Sequence, residues 1–155
     1  MQNFIIDFTR GLIFERLMQG HAKSPKAMEN LGHAAATVAR PGMVIALAGG
    51  LGSGKTHWTK GFVAGCGSRD VVTSPTFGLM HEYTGGQFPV FHLDFYRLES
   101  AAELIALGWD ELLEQGGVIV AEWGDKFPEL VPLDAIWLHF TAESDGSRTV
   151  REGGN

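Results

Sequence analysis

The stretch that most restricts the fold runs from Met43 to Cys66. It opens with "MVIALA", an apolar run from Met43 to Ala48 without polar alternation. That pattern suits a strand buried on both faces, as in the parallel sheets of α/β proteins. Directly after it comes Gly49-Gly50-Leu51-Gly52-Ser53-Gly54-Lys55-Thr56, in which glycines crowd together ahead of a lysine and a threonine. From Thr56 to Cys66, the residues Trp58, Phe62, Val63 and Cys66 fall on one face of a helix. Gly61 and Gly65 each cost that helix about 1 kcal/mol of propensity, which close packing against the sheet would explain. A buried strand, a glycine-rich turn and a helix in immediate succession point to an α/β fold.

The spacing Gly49-x4-Gly54-Lys55-Thr56, placed between strand and helix, satisfies the Walker A or P-loop pattern. Its chemistry accounts for its composition. Glycine adopts positive φ and lets backbone approach an anion with no Cβ in the way, so successive N–H groups from Gly49 to Gly54 can turn toward a phosphate. The helix that follows adds unpaired donors and a partial positive charge. Lys55 would supply a mobile charge to the β- and γ-phosphate oxygens, and the Thr56 hydroxyl a ligand to Mg²⁺.

Such a site also needs a carboxylate from another strand end. Asp94 closes "PVFHLD" and Glu122 closes "GVIVAE". If both strands run parallel to the one from Met43 to Ala48, their carboxyl ends share the edge where open α/β sheets place ligands. One acid is expected to hold Mg²⁺, directly or through water, and the other to orient or deprotonate the attacking water. The residues alone do not assign the two roles. Thr76, in Thr73-Ser74-Pro75-Thr76, is a candidate γ-phosphate sensor on a switch-like loop; ordinary Ser-Pro loop punctuation is the alternative. Tyr96, Arg97 and Trp123 follow the acids closely and are expected at the rim, Trp123 as a contact to nucleotide or partner. His81, His92 and His139 lie within strand patterns and read as hydrogen-bonded structural histidines.

Around this centre, Ser24-Pro25 opens a helix with an N-cap serine and proline at its first position, carrying Met28, Leu31, Ala35 and Val38 on one face until Pro41-Gly42. Two hairpins are expected, one through Gly85-Gly86 and one turning at Asp145-Gly146, so the sheet is mixed. Ser100-x-x-Glu103 has capping-box form and introduces helical turns that end before Gly116-Gly117. The 155 residues suit one domain, 1–155, within which residues 1–20 fit either an edge strand with a short helix or a loose tail. A formal charge of −6 argues against bare nucleic acid held by phosphate neutralisation. The lone Cys66, the absence of zinc-like His/Cys spacing and the lack of a membrane-length apolar run or signal peptide lead us to expect a cytoplasmic protein.

Taken in order, "GGLGSGKT", "SPTFGLMHEY", "FHLDFYRLESAAELIALGWDELL" and "VIVAEW" resemble the bacterial TsaE (YjeE) family, from about Ser24 to Pro132. The resemblance implies a P-loop NTPase-like mixed sheet flanked by helices, ATP hydrolysis with Mg²⁺, and work with TsaB and TsaD in tRNA threonylcarbamoyladenosine synthesis, tRNA being met only through that complex. Residue by residue, it implies a phosphate loop at Gly49 to Thr56, Mg²⁺-linked positions at Thr56 and Glu122, an essential aspartate at Asp94 and a switch-like threonine at Thr76; Trp123 matches the family's tryptophan. The first 20 residues depart from the family's short strand before the first helix, and with the chain ending soon after "SRTVRE" a late strand is expected to be clipped. A small-molecule kinase also carries a P-loop and a strand-end aspartate but needs lid arginines, and between Asp70 and Gly146 only Arg97 is present. A nucleotide-binding switch without useful turnover uses the same residues as the ATPase.

Overall fold

A computed structural model of the chain describes residues 11–154. Helix α1 (11–18) leads to strand β1 (Gly20–Ala22) and helix α2 (Pro25–Ala35). Then follow β2 (Val44–Ala48), α3 (Lys55–Gly65), β3 (Met80–Tyr83) and β4 (Val90–Asp94). The chain continues through α4 (Ala101–Ala106), α5 (Trp109–Glu114), β5 (Val118–Glu122), β6 (Ile136–Ala142) and β7 (Arg148–Glu152). Seven strands form one sheet in the order β1-β7-β6-β2-β5-β4-β3. Strands β6, β2, β5 and β4 are mutually parallel, while β3 and β7 run antiparallel to their inner neighbours and β1 antiparallel to β7. The sheet is thus mixed, as its two hairpins require.

Every residue of β2, β4 and β5 is buried, because both faces of the sheet are covered. Alternation along β2 sends Ile45 and Leu47 toward Met28, Trp58 and Phe62 of α2 and α3. Val44 faces the other layer, with Leu104 and Trp109 of α4 and α5 and with Phe95. Ser24 caps α2 as expected, its Oγ accepting the Ala27 N–H at 3.1 Å. Ser100 caps α4 in the same way at 3.3 Å, but the Glu103 carboxylate accepts from the N–H of Glu99 rather than that of the cap residue.

Two expectations need correction. Gly61 and Gly65 are not small for the sake of the sheet; they meet α2. A Cβ on Gly61 would stand 1.7 Å from the Glu29 carbonyl oxygen, and one on Gly32 of α2 would stand 1.9 Å from the Trp58 carbonyl oxygen. The two helices therefore cross backbone against backbone through paired glycines. The second correction concerns the N-terminal segment. Gly20–Ala22 form the short strand before α2, paired in antiparallel fashion with Arg148–Val150 at the sheet edge, and α1 precedes it. Residues 1–10 of that segment lie outside the described residues.

Candidate active site

The parallel pairing of β2, β5 and β4 aligns Leu47 with Glu122 and Glu122 with Asp94 across the sheet. Both acids and the turn from Gly49 to Gly54 consequently leave the sheet at one edge. This turn feeds α3, whose N-terminus differs from those of the neighbouring helices. Helices α2 and α4 are capped by serine side chains, and α5 carries Asp110 and Glu111 in its first turn. Helix α3 has neither a side-chain cap nor an acidic residue there. Its first N–H groups are left to an external anion, with the helix dipole behind them. Gly54, at φ 102°, makes the left-handed bend that turns the loop into the helix, a conformation an L side chain rarely adopts.

Lys55 is 5% exposed and folds back over its own loop. Its Nζ donates to the carbonyls of Gly49 at 2.6 Å and Gly50 at 2.9 Å and to Ser53 Oγ at 3.3 Å, and lies 4.5 Å from the centre of the Trp123 ring. Burial pushes the ammonium below the ordinary lysine range, while Glu122, Asp94 and Asp125 pull it back toward the charged form. All of its acceptors are neutral loop atoms, so a phosphate arriving here offers the ammonium a stronger, charged partner. Trp123 reaches the lysine because its backbone turns left-handed at φ 58° directly after β5. Its ring also sits 5.0 Å from that of Tyr96.

The acids are each held by a threonine. The Thr56 hydroxyl donates to Glu122 Oε1 at 2.9 Å, and the Thr76 hydroxyl donates to Asp94 Oδ2 at 2.8 Å. Asp94 Oδ1 accepts the Tyr96 N–H at 2.9 Å, and Thr76 shares a 2.6 Å hydrogen bond with Ser74. Glu122 has a second anchor in His92, whose Nε2 lies 3.0 Å from Oε1. His92 is structural, as its strand position suggests, yet it is structural for the site itself. Arg97 is not brought in: its guanidinium lies over the Phe77 ring at 4.1 Å. His139, in register with Ala48, pairs with the Gly154 carbonyl at 3.1 Å and does not line the cavity.

These groups line a cavity of about 420 Å³ that runs from Thr56, Asp94 and Glu122 to a wall absent from the sequence reading. That wall comprises Ala22 to Pro25, Met28, Gly146 and Arg148. Sheet order makes it: β7 and β1 lie beyond β6, which brings the start of α2 and the β6–β7 turn beside the loop. Arg148 Nε donates to the Gly52 carbonyl at 2.9 Å, tying the β7 hairpin to the glycine turn. Leu51 stands at the loop tip, 75% exposed, and Gly49 and Gly50 contribute the carbonyls that hold Lys55. Backbone donors, one ammonium, a hydroxyl and two carboxylates stand together at one sheet edge, a set whose chemistry is compatible with a polyphosphate and a hard cation. No group of three or more His, Cys, Asp or Glu that would form a metal cage occurs among the described residues. That donor chemistry fits Mg²⁺, which is bound through one or two carboxylates together with phosphate and water.

Comparison with known proteins gives the family and a matching fold. A family model described as "Threonylcarbamoyl adenosine biosynthesis protein TsaE" matches residues 22–150. The tRNA threonylcarbamoyladenosine biosynthesis protein TsaE of Bacillus subtilis is 36% identical over 127 residues, 82% of this chain and 79% of that protein. Its counterpart in Treponema pallidum is 35% identical over 109 residues, 70% of this chain and 80% of that one. A crystal structure of YdiB from Bacillus subtilis superposes with a TM-score of 0.75 at 30% identity, covering 86% of this chain and 82% of its own. The matched region contains the glycine turn, both carboxylates and the wall from Ala22 to Arg148. This chain therefore belongs to the TsaE family of tRNA threonylcarbamoyladenosine biosynthesis proteins.

Proposed function

We propose that the chain binds ATP with Mg²⁺ and hydrolyses it, acting with TsaB and TsaD in the threonylcarbamoyladenosine modification of tRNA. The observation that carries this reading is the Thr56–Glu122 hydrogen bond at 2.9 Å, set at the uncapped start of α3 beside the buried Lys55. A hydroxyl from the phosphate loop and a strand-end carboxylate, already in contact, are the donors that a phosphate-bound cation requires from such a protein. Thr56 and Glu122 would hold Mg²⁺, with Asp94 the facing acid. The cation, when bound, neutralises charge on the terminal phosphates.

This chain's residues do the rest. The amides from Gly50 to Thr56 cradle the phosphates, and Lys55 leaves the Gly49 and Gly50 carbonyls to meet them. Asp94 orients the attacking water or takes its proton. Thr76, hydrogen-bonded to Asp94, carries the state of the terminal phosphate to the loop at residues 71–79. The adenosine end takes the other half of the cavity, between Met28 with the start of α2 and Arg148. With a net charge of −6 the chain meets tRNA through its partners rather than through its own surface, in the cytoplasm. No helix among the described residues is long and apolar enough to cross a membrane.

A small-molecule kinase would need arginines that clamp a transferred phosphate. Arg148, the arginine on the cavity wall, is committed to the carbonyls of Gly52, Gly146 and Ser147. Phosphate release measured with the protein alone, with TsaB and TsaD, and with small hydroxyl acceptors tests the proposal. Partner-stimulated release of inorganic phosphate is expected; phosphorylation of an acceptor would replace this function with the kinase, and nucleotide binding without turnover would leave a switch.

A further inference from the structure

We propose that His92 is a positioning residue for Glu122: its Nε2–H, fixed by the Tyr83 hydroxyl on Nδ1, locks the carboxylate by one oxygen and leaves the other for the cation. The inference rests on the proposed role of Glu122 and extends it to a three-residue chain that reaches away from the nucleotide cavity. Strand geometry sets it up. His92 lies two residues before Asp94 on β4 and so shares its face of the sheet, while Asp94 stands in register with Glu122 on β5. His92 is fully buried and Glu122 is 3% exposed.

The hydrogen bonds join these side chains into one chain. An ionised carboxylate only accepts, so the His92 nitrogen 3.0 Å from Glu122 Oε1 carries the proton. The Nδ1 of His92 lies 3.2 Å from the Tyr83 hydroxyl, a second hydrogen bond that orients the ring. His81 Nδ1 lies 3.3 Å from the Tyr83 oxygen, opposite His92 in the β3–β4 register. The Tyr83 hydroxyl donates to the Thr73 carbonyl, also 3.3 Å away. Burial pushes Tyr83 up to about 12, so the hydroxyl keeps the proton it donates. Thr56 and His92 both address Oε1. With both anchors on one oxygen the carboxylate plane is held against rotation, and the second oxygen, Oε2, is left without a hydrogen bond among the described residues.

The chain also gives the two carboxylates a common neighbour. Thr76 touches Asp94 directly, and Thr73 is linked to Glu122 through two side chains, Tyr83 and His92. Both acids are therefore registered against the same short loop.

Two substitutions separate positioning from packing, because asparagine places its amide near Nδ1 and glutamine near Nε2. His92→Asn keeps a partner for Tyr83 and loses Glu122; His92→Gln keeps a donor for Glu122. The full-length variants are compared for ATP affinity with and without Mg²⁺ by calorimetry, and for kcat and KM in the presence of TsaB and TsaD. For His92→Asn the Mg²⁺-dependent gain in ATP affinity and kcat are expected to fall about 10- to 100-fold, the usual range for losing an outer-shell partner, with Mg²⁺-free affinity unchanged. His92→Gln restores both. Tyr83→Phe, which keeps the ring but removes its proton, is expected to reproduce the loss in weaker form should His92→Asn fail to fold. Equal behaviour of the Asn and Gln variants, or Tyr83→Phe matching the wild type, overturns the inference. If the wild type binds Mg²⁺ and ATP without turnover, the hydrolysis reading fails while the affinity comparison still decides the role of His92. Wild-type protein with no Mg²⁺-dependent gain overturns both.

Discussion

Gly61→Ala is the sharpest test of how this chain positions its cavity wall. The added Cβ would lie 1.7 Å from the Glu29 carbonyl oxygen, 2.5 Å from its carbon and 2.8 Å from the Glu29 Cα. All three atoms are backbone, so no rotamer change relieves the clash, and α2 and α3 must part by more than about 1 Å to reach an ordinary contact. Overpacking a well-filled core costs about 1–3 kcal/mol, and a backbone obstacle places this site at the upper end. Alanine returns about 1 kcal/mol of helix propensity, leaving a net loss of about 2 kcal/mol. For a chain of this size that is a fall in Tm of about 4–8 °C, read by thermal unfolding followed through circular dichroism. Because α2 carries Ser24, Pro25 and Met28 into the cavity wall, nucleotide affinity should weaken in the same variant. A Gly61→Ala protein as stable as the wild type would refute the backbone-to-backbone crossing.

Two further outcomes test single features. Ser24→Ala removes the side-chain acceptor for the Ala27 N–H and should cost about 1 kcal/mol, visible as a small drop in the urea midpoint with an unchanged m-value. Cys66 is 2% exposed, and burial pushes its thiol up to about 11; a colorimetric thiol reagent at pH 8 should therefore leave the native protein unmodified and label it quantitatively in denaturant. Fast labelling of the native state would contradict the buried placement.

The phosphate loop was readable from the chain because its evidence is local: an apolar strand, glycines at set spacing, then Lys55 and Thr56. Asp94 and Glu122 were readable for a related reason. Each closes an uninterrupted apolar run, and the parallel pairing of those runs with β2 puts both at the loop. The residues that escaped are those joined only by tertiary order. Arg148 follows Gly52 by 96 positions, and only the placement of β7 beside β6 brings them together. His92 showed itself as a strand histidine, whereas its contact with Glu122 depends on the β4–β5 register. The alternation "FHLD", with a polar residue at each second position, was the available signal for His92, since it puts that side chain on the face of Asp94. Gly61 signals a close contact without naming its partner, because helix-on-helix and helix-on-sheet contact make the same demand for a small residue. The Tyr83 link to Thr73 carried no signal in spacing at all.

The central claim is that Asp94 and Glu122 face one nucleotide held by Lys55. Phosphate release by the complex with TsaB and TsaD, measured for the wild type, Asp94→Ala and Glu122→Ala at saturating ATP, tests it most directly, with binding followed in parallel. At least one acidic variant is expected to keep its affinity for ATP while losing about 100-fold or more in turnover, as removal of a charged catalytic group does. Wild-type turnover in both variants would contradict the account.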